Sequence, residues 1–134
     1  MIKMSGKIAN TKAVENIDTN SLIEELLDHL KSDQIVIPKP EEVSDYLRQY
    51  PDIIDLVEFA CEETRSRFLL PTQLSLELYR DPEIYDQYLT LYVRQNKYEK
   101  NIMDKIEEIR LIYCDELADK NGYFLLTTDF QFPK

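Results

Sequence analysis

The chain has 134 residues, a net charge of −10, 43% hydrophobic residues and 2 Gly. That is one globular domain, long enough to bury a core without staples, and its acidity lacks the basic stripe that a direct nucleic-acid binder displays. The opening residues have no apolar segment of the secretory kind and no apolar run could span a bilayer, so a cytoplasmic protein with no membrane partner is expected.

Residues 1–18 show no periodicity and read as a flexible N-terminal arm, leaving 19–134 as a single α+β domain. Ser21-Leu22-Ile23-Glu24 fits a capping box. Leu22, Ile23, Leu26, Leu27 and Leu30 follow at helical spacing, predicting a first helix over 21–32. His29 is the only histidine. It has no partner ligands near it in sequence, so no metal site is expected there. Ile35-Val36-Ile37, closed by Pro38 and Pro40, reads as a brief edge strand or an extended linker.

Pro40 suits the first turn of a second helix, whose apolar face is Val43, Tyr46, Leu47 and Tyr50. Pro51 pushes Tyr50 out of the helical region, predicting a break there. A third helix then begins at Pro51, with Ile53, Ile54, Val57, Ala60, Cys61, Thr64 and Phe68 facing inward and Pro71 ending it. Residues 40–70 hold eight carboxylates against Arg48, Arg65 and Arg67, a net of −5, so half of the total charge sits on this helical pair.

Gln73–Tyr79 and Tyr88–Arg94 alternate strictly, with Leu74, Leu76, Leu78, Leu89, Leu91 and Val93 on one side. Two such runs joined by a polar stretch predict an antiparallel hairpin. Asp81-Pro82-Glu83 has turn chemistry. Ile84 and Tyr85 are apolar for a turn, and either pack over the sheet edge or meet another chain. Asn96-Lys97-Tyr98-Glu99 resembles a second capping box. It opens a predicted helix over 97–120, with Tyr98, Ile102, Ile106, Ile109, Tyr113 and Leu117 along one stripe. Asn121-Gly122 is expected to end it with Gly in the left-handed conformation. Residues 123–132 read as a final strand, with Phe124, Leu126, Phe130 and Phe132 sharing one face.

The expected fold is therefore α+β: three N-terminal helices, a β-hairpin, a long helix and a C-terminal strand. Its three-stranded antiparallel sheet has order 2-1-3, with helices on one face. The uncovered face would display Ser75, Glu77, Tyr79, Tyr88, Thr90, Tyr92, Arg94, Thr127 and Asp129. Of these, Glu77, Tyr79, Tyr88, Tyr92, Arg94 and Asp129 form the candidate partner or ligand surface, because Tyr and Arg are enriched at interface hot spots. Tyr and Thr are equally ordinary on a solvent-facing strand, and Glu77 with Arg94 makes a plain cross-strand ion pair.

The chain has no HExxH, no CxxC, no Gly-rich phosphate loop and no EF-hand loop, and one histidine cannot serve a Ser/His/Asp set. Only Glu77 and Asp129 offer a carboxylate pair able to share a proton or hold a divalent ion. No catalytic, cofactor-binding or metal residues are assigned, and no enzyme is expected. Cys61 and Cys114 fall in helices beside apolar neighbours, where free Cys acts as a small hydrophobe.

The run Leu74-x-Leu76-Glu77-Leu78-x-x-Asp81-Pro82-Glu83, then Leu89-x-Leu91-x-Val93-Arg94, followed by a long helix and a last strand, resembles small bacterial α+β proteins, some of them paired with a toxin-like partner. The resemblance spans roughly residues 43–132. It is a pattern of strands and a turn rather than an active-site signature, and the segment 1–40 departs from it. It implies a non-catalytic, antitoxin-like partner protein. The first functional reading is thus an acidic interaction module for a basic protein partner, with a nucleic-acid mimic as a special case. The second is a small-ligand or enzymatic site on the open face, and the third a homodimer through that face or an edge strand.

Overall fold

The computed structural model describes residues 12–83 and 86–134, and the hairpin lies at its centre. Strands β1 (Gln73–Asp81) and β2 (Asp86–Arg94) pair antiparallel. Leu74 sits opposite Val93, Leu76 opposite Leu91 and Leu78 opposite Leu89. All but Leu78 are fully buried. With a side-chain period of two, a slip of one residue would turn this whole apolar row to water, so the leucines fix the register. The strands run further than the alternation suggested, leaving a connection of residues 82–85. Ile84 and Tyr85, for which two roles were weighed, lie outside the described residues.

The third strand corrects the expected topology. Strand β3 (Phe124–Thr127) runs parallel to β2, with Leu89 beside Phe124 and Leu91 beside Leu126. The sheet is mixed, in the order β1-β2-β3, rather than antiparallel in the order 2-1-3. Two interactions explain this. Helix α4 (Ile102–Ala118) returns the chain to the end where β2 began, the connection that parallel neighbours require. The outer edge of β1 is already taken: Val36 donates its N–H to the Leu74 carbonyl at 2.8 Å and accepts from the Leu76 N–H at 2.8 Å. The Ile35–Ile37 run is therefore a single parallel bridge.

On the apolar side of the sheet lie α1 (Lys12–Ser32), α2 (Pro40–Gln49), a 3-10 turn (Pro51–Ile53), α3 (Ile54–Arg67) and α4. Leu26, Leu30, Val43, Leu47, Val57, Ala60, Ile106 and Ile109 join the hairpin leucines in one core. The 3-10 turn is an element the expected order lacked. Helix α1 spans Lys12–Ser32, so residues 12–18 of the expected arm are helical, and Ser21 lies mid-helix instead of capping. Residues 1–11 are outside the described part. Arg65 binds four main-chain carbonyls, those of Asp33, Gln34, Phe68 and Thr72, at 3.0–3.2 Å. It thereby ties the turns that follow α1 and α3 to the entry of β1.

Three further expectations are revised. Helix α4 starts five residues after Lys97, because Gln95 accepts from the Glu99 N–H at 3.0 Å and donates to its carboxylate at 2.6 Å, closing residues 95–99 as a loop. Gly122 does not adopt a positive φ. It is needed for space, since a Cβ there would lie 2.7 Å from Tyr50 Cβ and 3.1 Å from two Ile53 carbons. The last strand stops at Thr127, and Phe130, at φ 58°, turns the chain away. Phe130 and Phe132 are consequently exposed rather than facing the core.

Substituting Gly122→Ala should push the loop off Tyr50 and lower stability by about 1–3 kcal/mol, an overpacking cost. Urea unfolding reads this as a lower midpoint at unchanged slope; an unchanged midpoint would show that the backbone has room to give.

Candidate functional site

The sheet face turned away from the helices is built around Arg94. Its side chain is 2% exposed, although the alternation placed it on the open face. The guanidinium donates from Nε and Nη2 to both carboxylate oxygens of Asp129, at 3.1 and 2.9 Å, and from Nη1 to Glu77 at 3.1 Å. Ser75 donates its hydroxyl to the same Glu77 oxygen at 2.8 Å. The guanidinium carbon also stands 4.6 Å from the centre of the Tyr92 ring, a cation–π contact. Glu77 and Asp129, weighed as a proton-sharing or metal-binding pair, are thus held by the cation between them.

Residues 128–134 close this end of the face. Thr128 and Asp129 accept from the N–H groups of Phe130 and Gln131, which forms the turn after β3. Tyr98 donates its hydroxyl to the Gln131 carbonyl and rests against the Phe130 ring. The Gln73 amide pairs in both directions with the Lys134 backbone, at 2.7 and 3.0 Å. Since Gln73 and Arg94 are cross-strand partners, the segment crosses from β3 past β2 to β1, above the Arg94 end.

Burial works to lower the Arg94 pKa, but the hydrogen bonds to Asp129 and Glu77 prevail and the net direction is up. The Arg94 guanidinium in turn holds the Asp129 carboxyl below its ordinary 3.8.

The opposite end of the face is aromatic and open. Tyr79 and Tyr88 are cross-strand partners whose ring centres lie 5.0 Å apart. Tyr123, just before β3, meets Tyr88 edge-on at 5.3 Å. The three rings make a row across the sheet, anchored where the Tyr123 N–H donates to the Tyr46 hydroxyl at 2.9 Å. Tyr79 and Tyr123 are 38% and 45% exposed, enough ring surface for another molecule to meet. Burial, then the neighbouring Tyr79, Tyr123, Asp86 and Asp81, push the Tyr88 phenol upward. Asp81 and Asp86, cross-strand partners two residues along from Tyr79 and Tyr88, set two carboxylates beside this end of the row.

The candidate residues divide accordingly. Tyr79, Tyr88 and Tyr92 remain at least partly accessible, while Arg94 is buried and holds Glu77 and Asp129. Ser75 and Thr90, expected on display, are buried, and among the described residues the Thr90 hydroxyl has no hydrogen-bond partner. A cavity of about 130 Å³ touches Glu77, but Pro38, Lys39, Glu42, Leu78 and Arg80 line the rest of it. It does not gather the tyrosines, Arg94 or Asp129. Tyr123 was missing from the candidate surface, and its signal was its alternation in phase with Leu125 and Thr127. Cys61 is buried, and burial pushes its thiol far up, so it is inert at neutral pH; Cys114 is exposed rather than buried.

No family model matches the chain, and neither the curated proteins nor the solved structures include a match.

Asp129→Asn should cost about 3 kcal/mol, the low end for breaking a pair with one buried ion, because both carboxylates keep contact with water. The Asp129 carboxyl is depressed in the fold, so its contribution is fully present above its unfolded value of 3.8 and is lost as pH falls through the lower folded value. Urea midpoints measured from about pH 5 down to pH 2 should fall in the parent, with a shallower fall in the variant. Parallel curves would remove the Arg94–Asp129 pair as the cause.

Proposed function

We propose that this protein is a non-catalytic acidic interaction module that receives a basic protein partner on the tyrosine end of its open sheet face, in the manner of an antitoxin-like protein or a mimic of nucleic acid. The observation that carries the reading is the row Tyr79–Tyr88–Tyr123 standing beside Asp81 and Asp86. A Lys or Arg of the partner gains cation–π attraction from the ring faces and Coulomb attraction from the rim carboxylates. Arg94 over Tyr92 is an internal example of that contact. The charge of −10 steers a basic partner toward the surface and repels a nucleic acid or an anionic membrane. No described helix is long and apolar enough to cross a membrane.

A second copy of the chain competes for the same face, and sedimentation showing only monomer removes it.

The test is recovery of the protein with its bound partners from its own host, comparing the parent with a Tyr79→Ser/Tyr88→Ser variant. The variant should lose at least about tenfold in affinity, in line with removal of hot-spot tyrosines. The parent complex should weaken between about 50 mM and 500 mM salt as exposed charges are screened. Binding indifferent to both changes would overturn the proposal.

A further inference from the structure

His29 in the last turn of α1 and Asp33 in the turn just after it face Glu58 and Glu62, an i, i+4 pair on α3, across the groove between the two helices. The His29 ring lies 3.0 Å by Nδ1 from a Glu58 oxygen, and 3.3 Å by Nε2 from both a Glu62 oxygen and an Asp33 oxygen. One ligand atom each from His29, Glu58 and Glu62 lie within 4.8 Å of one another. These side chains are 33–47% exposed, so solutes reach them.

Their charge is not balanced. Even a protonated imidazole gives one positive charge to three carboxylates. Among the described residues, no Lys or Arg forms an ion pair with Asp33, Glu58 or Glu62. Arg65 on α3 directs its donors to main-chain carbonyls, including that of Asp33, so its charge reaches the Asp33 carboxylate only across space, and Glu58 and Glu62 keep His29 as their one ion-pair partner among the described residues.

We infer that this groove binds a divalent transition-metal ion, with His29, Glu58 and Glu62 as ligands and Asp33 beside them. Ligand atoms bonded to a zinc-like ion at roughly 2.0–2.2 Å in tetrahedral geometry stand about 3.3–3.5 Å from each other. The Nε2–Glu62 spacing of 3.3 Å already meets this. It is long for a charge-assisted hydrogen bond, which prefers about 2.7–2.9 Å. Glu58 now contacts Nδ1, the other ring nitrogen, at 3.0 Å, and would have to swing from there to the ion, within the 4.8 Å that spans the three ligand atoms. An imidazole nitrogen with carboxylate oxygens suits zinc, manganese or ferrous iron, whereas magnesium prefers oxygen alone and keeps its waters. On binding, the ring gives up its shared proton and the ion takes over its bridging of the carboxylates. The ion ties α1 to α3 and stabilises the fold by mass action.

The experiment titrates zinc chloride into the full metal-free chain, with magnesium chloride as the control, reading heat, thermal unfolding and the imidazole nitrogen NMR signals. His29 is the only histidine, so those signals report this site alone. The expected result is one zinc per chain, a raised unfolding temperature, a shift of the His29 ring signal and no such response to magnesium. Glu62→Gln, which keeps the side-chain shape, and Glu58→Gln/Glu62→Gln should each weaken zinc binding by at least about tenfold while the helical circular dichroism is kept. Zinc that binds without moving the His29 signal, or equally well to the Gln variants, marks adventitious binding on an acidic surface and overturns the inference. So does an absence of binding up to about 1 mM zinc, far weaker than a three-ligand site.

Discussion

A guanidinium withdrawn from water must find its counter-charges inside the protein, and Arg94 imposes that demand at the end of the central strand. Glu77 answers from β1, two side-chain steps along the same face, with Ser75 orienting its carboxylate. The second carboxylate lies beyond the third strand, and Asp129 reaches the cation because the chain turns at Thr128 instead of running straight on. The positive φ at Phe130, the Tyr98 hydroxyl on Gln131 and the Gln73–Lys134 pairing all accompany that turn. One buried ion, satisfied by geometry close to bidentate, thus accounts for where the last strand stops.

The same demand divides the open face into two ends. Around Arg94 the polar groups are engaged with each other and covered by residues 128–134. Around Tyr88 they are not, and aromatic rings stand beside carboxylates with their faces available. Under the proposed function such a surface would receive a partner's cationic side chains, since the polar groups of this face around Arg94 already satisfy one another. The acidity of the chain is also unevenly neutralised. Glu77 and Asp129 share a guanidinium built into the fold, whereas Asp33, Glu58 and Glu62 share a single imidazole.

Elements that rest on short-range pattern were readable directly. Leu74, Leu76, Leu89 and Leu91 declared a buried face by alternating with polar residues. Pro40 and Pro51 marked the start of α2 and the break after it, since proline fixes its own backbone and restricts its neighbour. Where two local signals competed, the reading went astray. Asn96 and Glu99 imitate a helix cap, yet Gln95 captures the Glu99 amide first. Asn121-Gly122 imitates a helix stop, yet Gly122 is small because Tyr50, some seventy positions earlier, presses on it. Phe130 and Phe132 continue the alternation of a strand that the pull of Arg94 on Asp129 has already ended.

The candidate site was legible to the same degree. Strand alternation, a property of consecutive residues, placed Tyr79, Tyr88 and Tyr92 on one face and the leucines on the other, and this much the amino-acid order determined by itself. The sheet order, the closing of Arg94 between Glu77 and Asp129, the addition of Tyr123 to the tyrosine row and the meeting of His29 with Glu58 and Glu62 were decided only in three dimensions. Each joins residues 17 to 35 positions apart, and such contacts follow from how helices and strands pack, which no local periodicity encodes.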